Sequence, residues 1–110
     1  MRFTLLLSTA TAIATAFEGP CDILGAAATP CVAAHSTVRA LYAAYDGPLY
    51  NVTRSSDGQT ASIGVLSAGG FANKPAHDAF CPELDCVISI VFDQSPRHNH
   101  LGQRHELVNA

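Results

Sequence analysis

Cys86-Val-Ile-Ser-Ile-Val-Phe-Asp93, followed by Gln94-Ser-Pro-Arg-His-Asn-His100, decides the fold class of this chain. Val87, Ile88, Ile90, Val91 and Phe92 form a β-branched and aromatic run interrupted only by Ser89. Its length and branching predict a strand rather than a helix, and apolar side chains on both faces predict burial between two layers. Asp93-Gln-Ser-Pro96 then reads as a turn. A central strand that delivers a polar loop makes residues 93–100 the first place to look for chemistry.

Outward from that strand, the 110-residue chain has room for one domain. It opens with a short basic start, Met1-Arg-Phe-Thr, and an apolar stretch beginning Leu5-Leu-Leu. Ala14-Thr-Ala16 supplies small residues in a cleavage-site pattern. Residues 1–16 are therefore expected to be a secretory signal peptide, with a cut two residues later as the alternative, and the mature protein to be extracellular. The stretch is too short to span a bilayer, and no other segment is expected to.

About 94 residues follow, a size at which covalent staples matter. Cys21, Cys31, Cys81 and Cys86 all lie there. Four cysteines allow three pairings, of which two local loops are the simplest. Their spacings match no standard zinc pattern, and export favours disulfides, so no metal site and no cofactor are expected. A formal charge of −3, with lysine and arginine scattered singly, argues against nucleic acid or an anionic membrane as a partner.

Gly19-Pro-Cys-Asp-Ile-Leu-Gly25 reads as a loop-like entry. Val38, Leu41, Tyr42 and Tyr45 recur at helical spacing, predicting a helix that starts at Ser36 or Thr37 and stops before Gly47-Pro48. Leu49 to Arg54 alternates, with Tyr50 and Val52 facing inward. Asp57-Gly58 is a hairpin signal, and Thr60 to Leu66 is the expected partner strand, Ile63 and Val65 inward. Ser67-Ala-Gly-Gly70 breaks the sheet pattern. A short helix over 75–80, capped by Asn73, would pack Ala76, Ala79 and Phe80. Asn51-Val-Thr53 is a glycosylation sequon, on the outer face by the same alternation.

Chemistry is harder to place. A glycosidase needs two carboxylates about 5–10 Å apart across the bond. Asp22, Asp46, Asp57, Asp78, Glu83, Asp85, Asp93 and Glu106 are available, mostly in turns, and no spacing forces two together. Asp93 is the best single candidate, against its reading as a turn-capping residue. There is no Gly-x-Ser-x-Gly nucleophile elbow and no phosphate-cradling loop. His98, His100 and His105 could approach a metal but bring no supporting ligands.

Several stretches together are more specific. Gly19-Pro-Cys-Asp-Ile23, Thr29-Pro-Cys-Val-Ala-Ala-His-Ser-Thr37 and Arg39-Ala-Leu-Tyr42 resemble the start of the fungal α-L-arabinofuranosidase B catalytic domain, glycoside hydrolase family fifty-four. Gly47-Pro-Leu-Tyr50, Arg54-Ser-Ser-Asp57, Leu66-Ser-Ala-Gly-Gly70, Asp78-Ala-Phe-Cys81 and Asp93-Gln-Ser95 continue the likeness in order. The resemblance implies a mainly β chain, the N-terminal part of a lectin-like β-sandwich (jelly-roll) catalytic domain with one or two short helices. It implies Cys21–Cys31 and Cys81–Cys86 disulfides and a following arabinose-binding β-trefoil domain. It also implies a secreted, monomeric, retaining enzyme that releases terminal α-L-arabinofuranosyl groups from arabinoxylan and arabinan.

Two departures qualify that picture. Where the family has glycines in Gly-x-Gly-Asn-His-Leu, this chain has Pro96 and His98 before Asn99-His-Leu101. If the family loop needs positive φ at position 96, proline cannot supply it. Residues 17–101 follow the family, whereas 102–110 are read as a divergent tail. The family's nucleophile and acid/base lie downstream, so no catalytic residue is expected within this chain. The resulting expectation is a truncated, catalytically incompetent piece of an arabinofuranosidase. The alternative is a small secreted carbohydrate-binding or structural sandwich module.

Overall fold

A computed structural model describes residues 18–83 and 85–102; the expected signal peptide, Glu106, His105 and most of the expected tail lie outside them. The alternating segment at the centre forms strand β1, Tyr50–Arg54, and the hairpin returns as β2, Thr60–Ile63. Tyr50 pairs with Ile63 and Val52 with Ala61, so the alternation buries Tyr50, Val52 and Ile63 on one face. Asp57 and Gly58 make the turn: Gly58 takes φ 73°, and its N–H donates to the Arg54 carbonyl at 2.7 Å. Arg54 also forks onto both Asp57 oxygens at 2.8 and 3.1 Å and donates to the Phe80 carbonyl. The hairpin is thereby tied to the helix that follows.

That helix, α2, spans Lys74–Phe80. Asn73 caps it as expected, its Oδ1 accepting from the Ala76 N–H at 3.1 Å. It stops at Cys81, which precedes Pro82 and has left the helical region. The face it turns inward differs from the expectation. His77 and Phe80 are half-buried, while Ala76 and Ala79 are exposed. The larger side chains reach the sheet, and the small ones do not.

Strand β3, Cys86–Val91, pairs antiparallel with β1, and the two-residue β4, Leu101–Gly102, pairs with β3. The sheet order is β2-β1-β3-β4, antiparallel throughout, which places β3 in the interior of the sheet as its sequence suggests. Its burial does not follow. Val87 and Ile88 are 46% and 45% exposed, because no second layer lies over this end of the sheet among the described residues. Leu49, Tyr50, Val52, Ile63 and Cys81 form the core, with Tyr45, Val65, Ala72 and Phe80 packed around them. Each fully buried aliphatic side chain there contributes about 1.5–3 kcal/mol.

Both cysteine pairs are joined, Cys21 to Cys31 and Cys81 to Cys86, with Cα separations of 5.6 and 5.8 Å. The second links the end of α2 to the start of β3. The first holds a helix that the sequence reading missed, α1, Pro20–Ala26. Its signals were present: Pro20 fills the first helical position, and the Asp22 carboxylate accepts from the Gly19 N–H at 2.8 Å.

The helix expected from Ser36 to Asp46 is absent. N–H groups there go to side chains and to a distant carbonyl instead of building a helical ladder. The Val38 and Arg39 N–H groups go to Ser36 Oγ, Ala40 N–H to the Gly70 carbonyl, Leu41 N–H to Gln94 Oε1, and Ala43 N–H to Asp22. Val38, on the supposed apolar face, is 62% exposed, while Ala40 is completely buried. Isolated bridges pair Arg39 with Phe71 and Val65 with Ala72. Among the described residues, no helix is long and apolar enough to cross a membrane.

The turn at Ser67–Gly70 fixes this irregular segment against the hairpin. Gly69 takes φ 75° and donates its N–H to the Tyr45 carbonyl, and a Cβ there would lie 2.6 Å from the Ala43 carbonyl oxygen. Gly69→Ala should therefore destabilise the chain by about 2 kcal/mol or more, through left-handed strain plus overlap. The check is denaturant unfolding of both forms with disulfides intact. Equal midpoints would refute the close approach.

Candidate functional site: the Asp93 turn and the Tyr50–His77 cleft

Strand β3 ends by delivering three consecutive buried polar residues, Asp93, Gln94 and Ser95, at 1%, 6% and 0% exposure. Buried polar groups must be hydrogen-bonded, and these are. Asp93 Oδ1 accepts from the Ala34 and Ser95 N–H groups at 2.8 and 2.9 Å, and Oδ2 from the Asn99 N–H at 2.9 Å. The Asp93 N–H donates to His100 Nδ1 at 3.0 Å, so that ring nitrogen carries no proton in this arrangement. Gln94 exchanges backbone and side-chain bonds with Ala34, Arg39 and Leu41. Ser95 Oγ accepts from the Arg97 N–H.

Burial on its own would raise the Asp93 pKa. The N–H groups of Ser95, Asn99 and Ala34, aided by the Ser95 side chain, outweigh it and hold the carboxyl far below the ordinary range. A carboxylate so saturated has no lone pair directed at solvent and no tendency to take a proton. It cannot serve as a general acid, and it is closed in as a nucleophile. Asp93 is a structural turn residue.

The two substituted glycine positions of the family loop behave differently. His98 adopts φ 55°, so the left-handed residue of this turn sits where the family has its second glycine. Pro96 replaces the first. A side chain at positive φ costs about 1–2 kcal/mol.

Three other carboxylates are also engaged. Asp22 caps α1 and accepts from Ala43, Asp57 pairs with Arg54, and Asp78 meets Lys74 at 2.6 Å on the exposed side of α2. Arg54 holds the Asp57 carboxyl below its usual range. Asp85 has one buried oxygen without a partner among the described residues. Asp46 and Glu83 are exposed. No group of three histidine, cysteine or carboxylate side chains could hold a metal among the described residues. His98 and His100 do meet, ring to ring at 5.7 Å, but Nδ1 of His100 is taken by the Asp93 N–H.

A cleft lies elsewhere, beside α2. Tyr50, Val38, Phe71, Lys74, His77 and Asp78 line a cleft of about 620 Å³. The Tyr50 hydroxyl and His77 Nδ1 are 2.7 Å apart, and burial followed by the nearby Asp78 charge raises the Tyr50 pKa. Sequence reasoning had Tyr50 only as core and did not single out His77. The cleft is mostly apolar, its Tyr50–His77 and Lys74–Asp78 pairs are already engaged with each other, and it lacks the two opposed carboxylates of glycoside hydrolysis.

Two outcomes follow from the turn. Asp93→Asn keeps the shape but cannot accept three N–H bonds, so it should cost about 2–3 kcal/mol. Since folding depresses the Asp93 pKa, the wild-type advantage should be complete above the unfolded value near 3.9 and shrink as pH falls below it toward the folded value. Stability curves of both forms between pH 7 and 2 check this; a gap independent of pH would count against a charged Asp93. His98→Gly should stabilise by about 1 kcal/mol, read from the same unfolding curves.

Comparison with known proteins places this geometry. Residues 20–109 match the sequence profile of the family described as alpha-L-arabinofuranosidase B, catalytic. The probable alpha-L-arabinofuranosidase B of Aspergillus fumigatus is 64% identical over 85 residues, covering 77% of this chain and 17% of that protein. Its counterpart from Aspergillus clavatus is 54% identical over 101 residues, covering 92% and 20%. A crystal structure of an arabinofuranosidase complexed with arabinofuranosyl-α-1,2-xylobiose superposes with a TM-score of 0.74 at 53% identity, covering 78% of this chain and 18% of the other. This chain thus spans about a fifth or less of the length of these relatives. The fold is that of part of a β-sandwich family, and the chain belongs to the alpha-L-arabinofuranosidase B catalytic-domain family.

Proposed function

We propose that this chain is a scaffold-forming part of a secreted, monomeric, retaining α-L-arabinofuranosidase, acting on terminal non-reducing α-L-arabinofuranosyl groups of arabinoxylan and arabinan. The observation that carries this reading is the family match across residues 20–109, joined to a fold that superposes on an arabinofuranosidase holding an arabinofuranosyl-xylobiose. Export rests on the signal-like residues 1–16. The segment's role is mechanical: β1, β3 and the Asp93 turn set the position of a sheet edge from which further catalytic-domain structure continues. Asp22, Asp57, Asp78 and Asp93 are committed to a cap, ion pairs and the turn, and we assign the reacting pair to other parts of such an enzyme.

A second reading has one observation in its favour. Phe71 is 61% exposed at the rim of the Tyr50–His77 cleft, as a sugar-stacking ring would be. The Arg39 guanidinium lies 5.8 Å from the ring centre, however, and already occupies one face. A carbohydrate-binding module would bind arabinoxylan without hydrolysing it.

The two readings separate in a domain exchange. Residues 20–102 of this chain should replace the matching segment of the Aspergillus fumigatus relative with hydrolysis of 4-nitrophenyl α-L-arabinofuranoside kept within about tenfold, whereas the 110-residue chain alone gives no turnover. A soluble, folded chimera with no activity would sink the scaffold reading. Calorimetric binding of arabinoxylan by the 110-residue chain, abolished by Phe71→Ala, would favour the module instead.

A further inference from the structure

We propose that Asn51 is an N-glycosylation site and that its glycan projects from the polar face of the sheet, marking that face as the outer surface of the domain. The proposal rests on the export reading above. Of the four asparagines in the chain, only Asn51 begins an Asn-x-Thr sequon, Asn51-Val-Thr53.

The structure adds what a sequon does not carry. Asn51 lies in β1, opposite Ser62 on one side and Ile90 on the other, and Thr53 lies opposite Thr60 and Val87. Directly opposed residues share a face, and Asn51 and Thr53 share one by the strand's period of two. That face is therefore amide and hydroxyl over β1 and β2. Ser62 Oγ donates to Asn51 Oδ1 at 2.6 Å, and Thr53 Oγ1 meets Thr60 Oγ1 and Ser89 Oγ at 3.1 and 3.0 Å. The opposite face holds Tyr50, Val52 and Ile63 in the core. A layer of hydroxyls satisfied among themselves is built to meet water, not an apolar second sheet.

The acceptor geometry suits a glycan. Asn51 uses only Oδ1; Nδ2 makes no hydrogen bond among the described residues and is not buried. Transfer from a polyprenyl-pyrophosphate-linked oligosaccharide forms a bond from Nδ2 to the sugar C1 and breaks the bond from C1 to the pyrophosphate oxygen. The polyprenyl pyrophosphate leaves, and one Nδ2 proton passes to a base of the transferase. The product is a secondary amide whose Oδ1 still accepts from Ser62, so the ladder survives. The Thr53 hydroxyl, engaged on both sides in the sheet, is free for the transferase only before β1 pairs, which sets transfer on the emerging chain. Once folded, the first sugars would lie over Ile90 and Val87, the latter 46% exposed on this face.

The test translates the full chain into glycosylation-competent microsomes. Protease protection reports entry, and an endoglycosidase-sensitive shift of one glycan reports modification. The expected result is a protected chain carrying one glycan, lost in Asn51→Gln and Thr53→Val and kept in Thr53→Ser. A protected chain without the shift overturns the proposal. An unprotected chain fails the export reading instead; residues 1–16 are then replaced by a proven secretion leader, and the shift in that form decides the site on its own. For the face, the glycosylated chain should melt no lower than the same chain after enzymatic trimming to one sugar. A lower melting temperature with glycan present would show that the face is packed and overturn the outward assignment.

Discussion

The fold depends on one buried charge. Asp93 leaves β3 with its carboxylate enclosed, and a carboxylate taken from water into protein is tolerated only where hydrogen-bond donors replace the water. Three backbone N–H groups do so, from Ala34, Ser95 and Asn99. Two of these are within the turn and shape it. The third is 59 residues away and draws the chain around Ala34 onto the end of the strand. Gln94 extends the same contact to Arg39 and Leu41. The chain between α1 and β1 is thereby tied to the turn at Ala34, Arg39 and Leu41.

That dependence explains where sequence reading succeeded. Local rules placed β1, β2, the Asp57-Gly58 turn and α2 with its Asn73 cap, because each is decided by neighbours within a few residues. They failed over 36–46. Val38, Leu41, Tyr42 and Tyr45 have helical spacing, but a period of 3.6 shows only that a helix could form. Gln94 Oε1, Asp22 Oδ2 and the Gly70 carbonyl take N–H groups that a helix would use, and all three acceptors are distant in sequence. Nothing in the stripe reveals them. The missed α1 is a different failure, since Pro20 and Asp22 were legible start signals and were read as loop.

The candidate site was legible to a similar depth. Asp93 could be singled out because a lone acid at the end of an apolar strand is unusual; whether it acts or anchors depends on its donors, which sequence does not display. The loop substitutions were visible, but their cost was located at Pro96, whereas the left-handed residue is His98. The cleft beside α2 was invisible, because it requires His77 of one element to meet Tyr50 of another. The family likeness could be read from short motifs spread over the chain, and residues 20–109 carry it.

The two faces of the sheet then constrain what surrounds it. On the inner face α2 and the flanking residues Tyr45, Val65 and Ala72 cover β1 and β2, but the cover stops short of β3 and β4. Ile88, opposite the fully buried Val52, is 45% exposed, and Leu101, opposite Val91, is 56% exposed. The apolar inner face is thus continuous from a dry core to open solvent along a single sheet. In a β-sandwich a second sheet lies about 10 Å above such a face. The outer face, by contrast, closes its polarity over β1 and β2 with hydroxyl and amide contacts of its own. The asymmetry makes the Cys86–Asp93 strand the hinge of the domain in a structural sense. One flank meets solvent over β1 and β2 with a self-satisfied polar layer, and the apolar flank is shaped to receive the opposing layer of a sandwich.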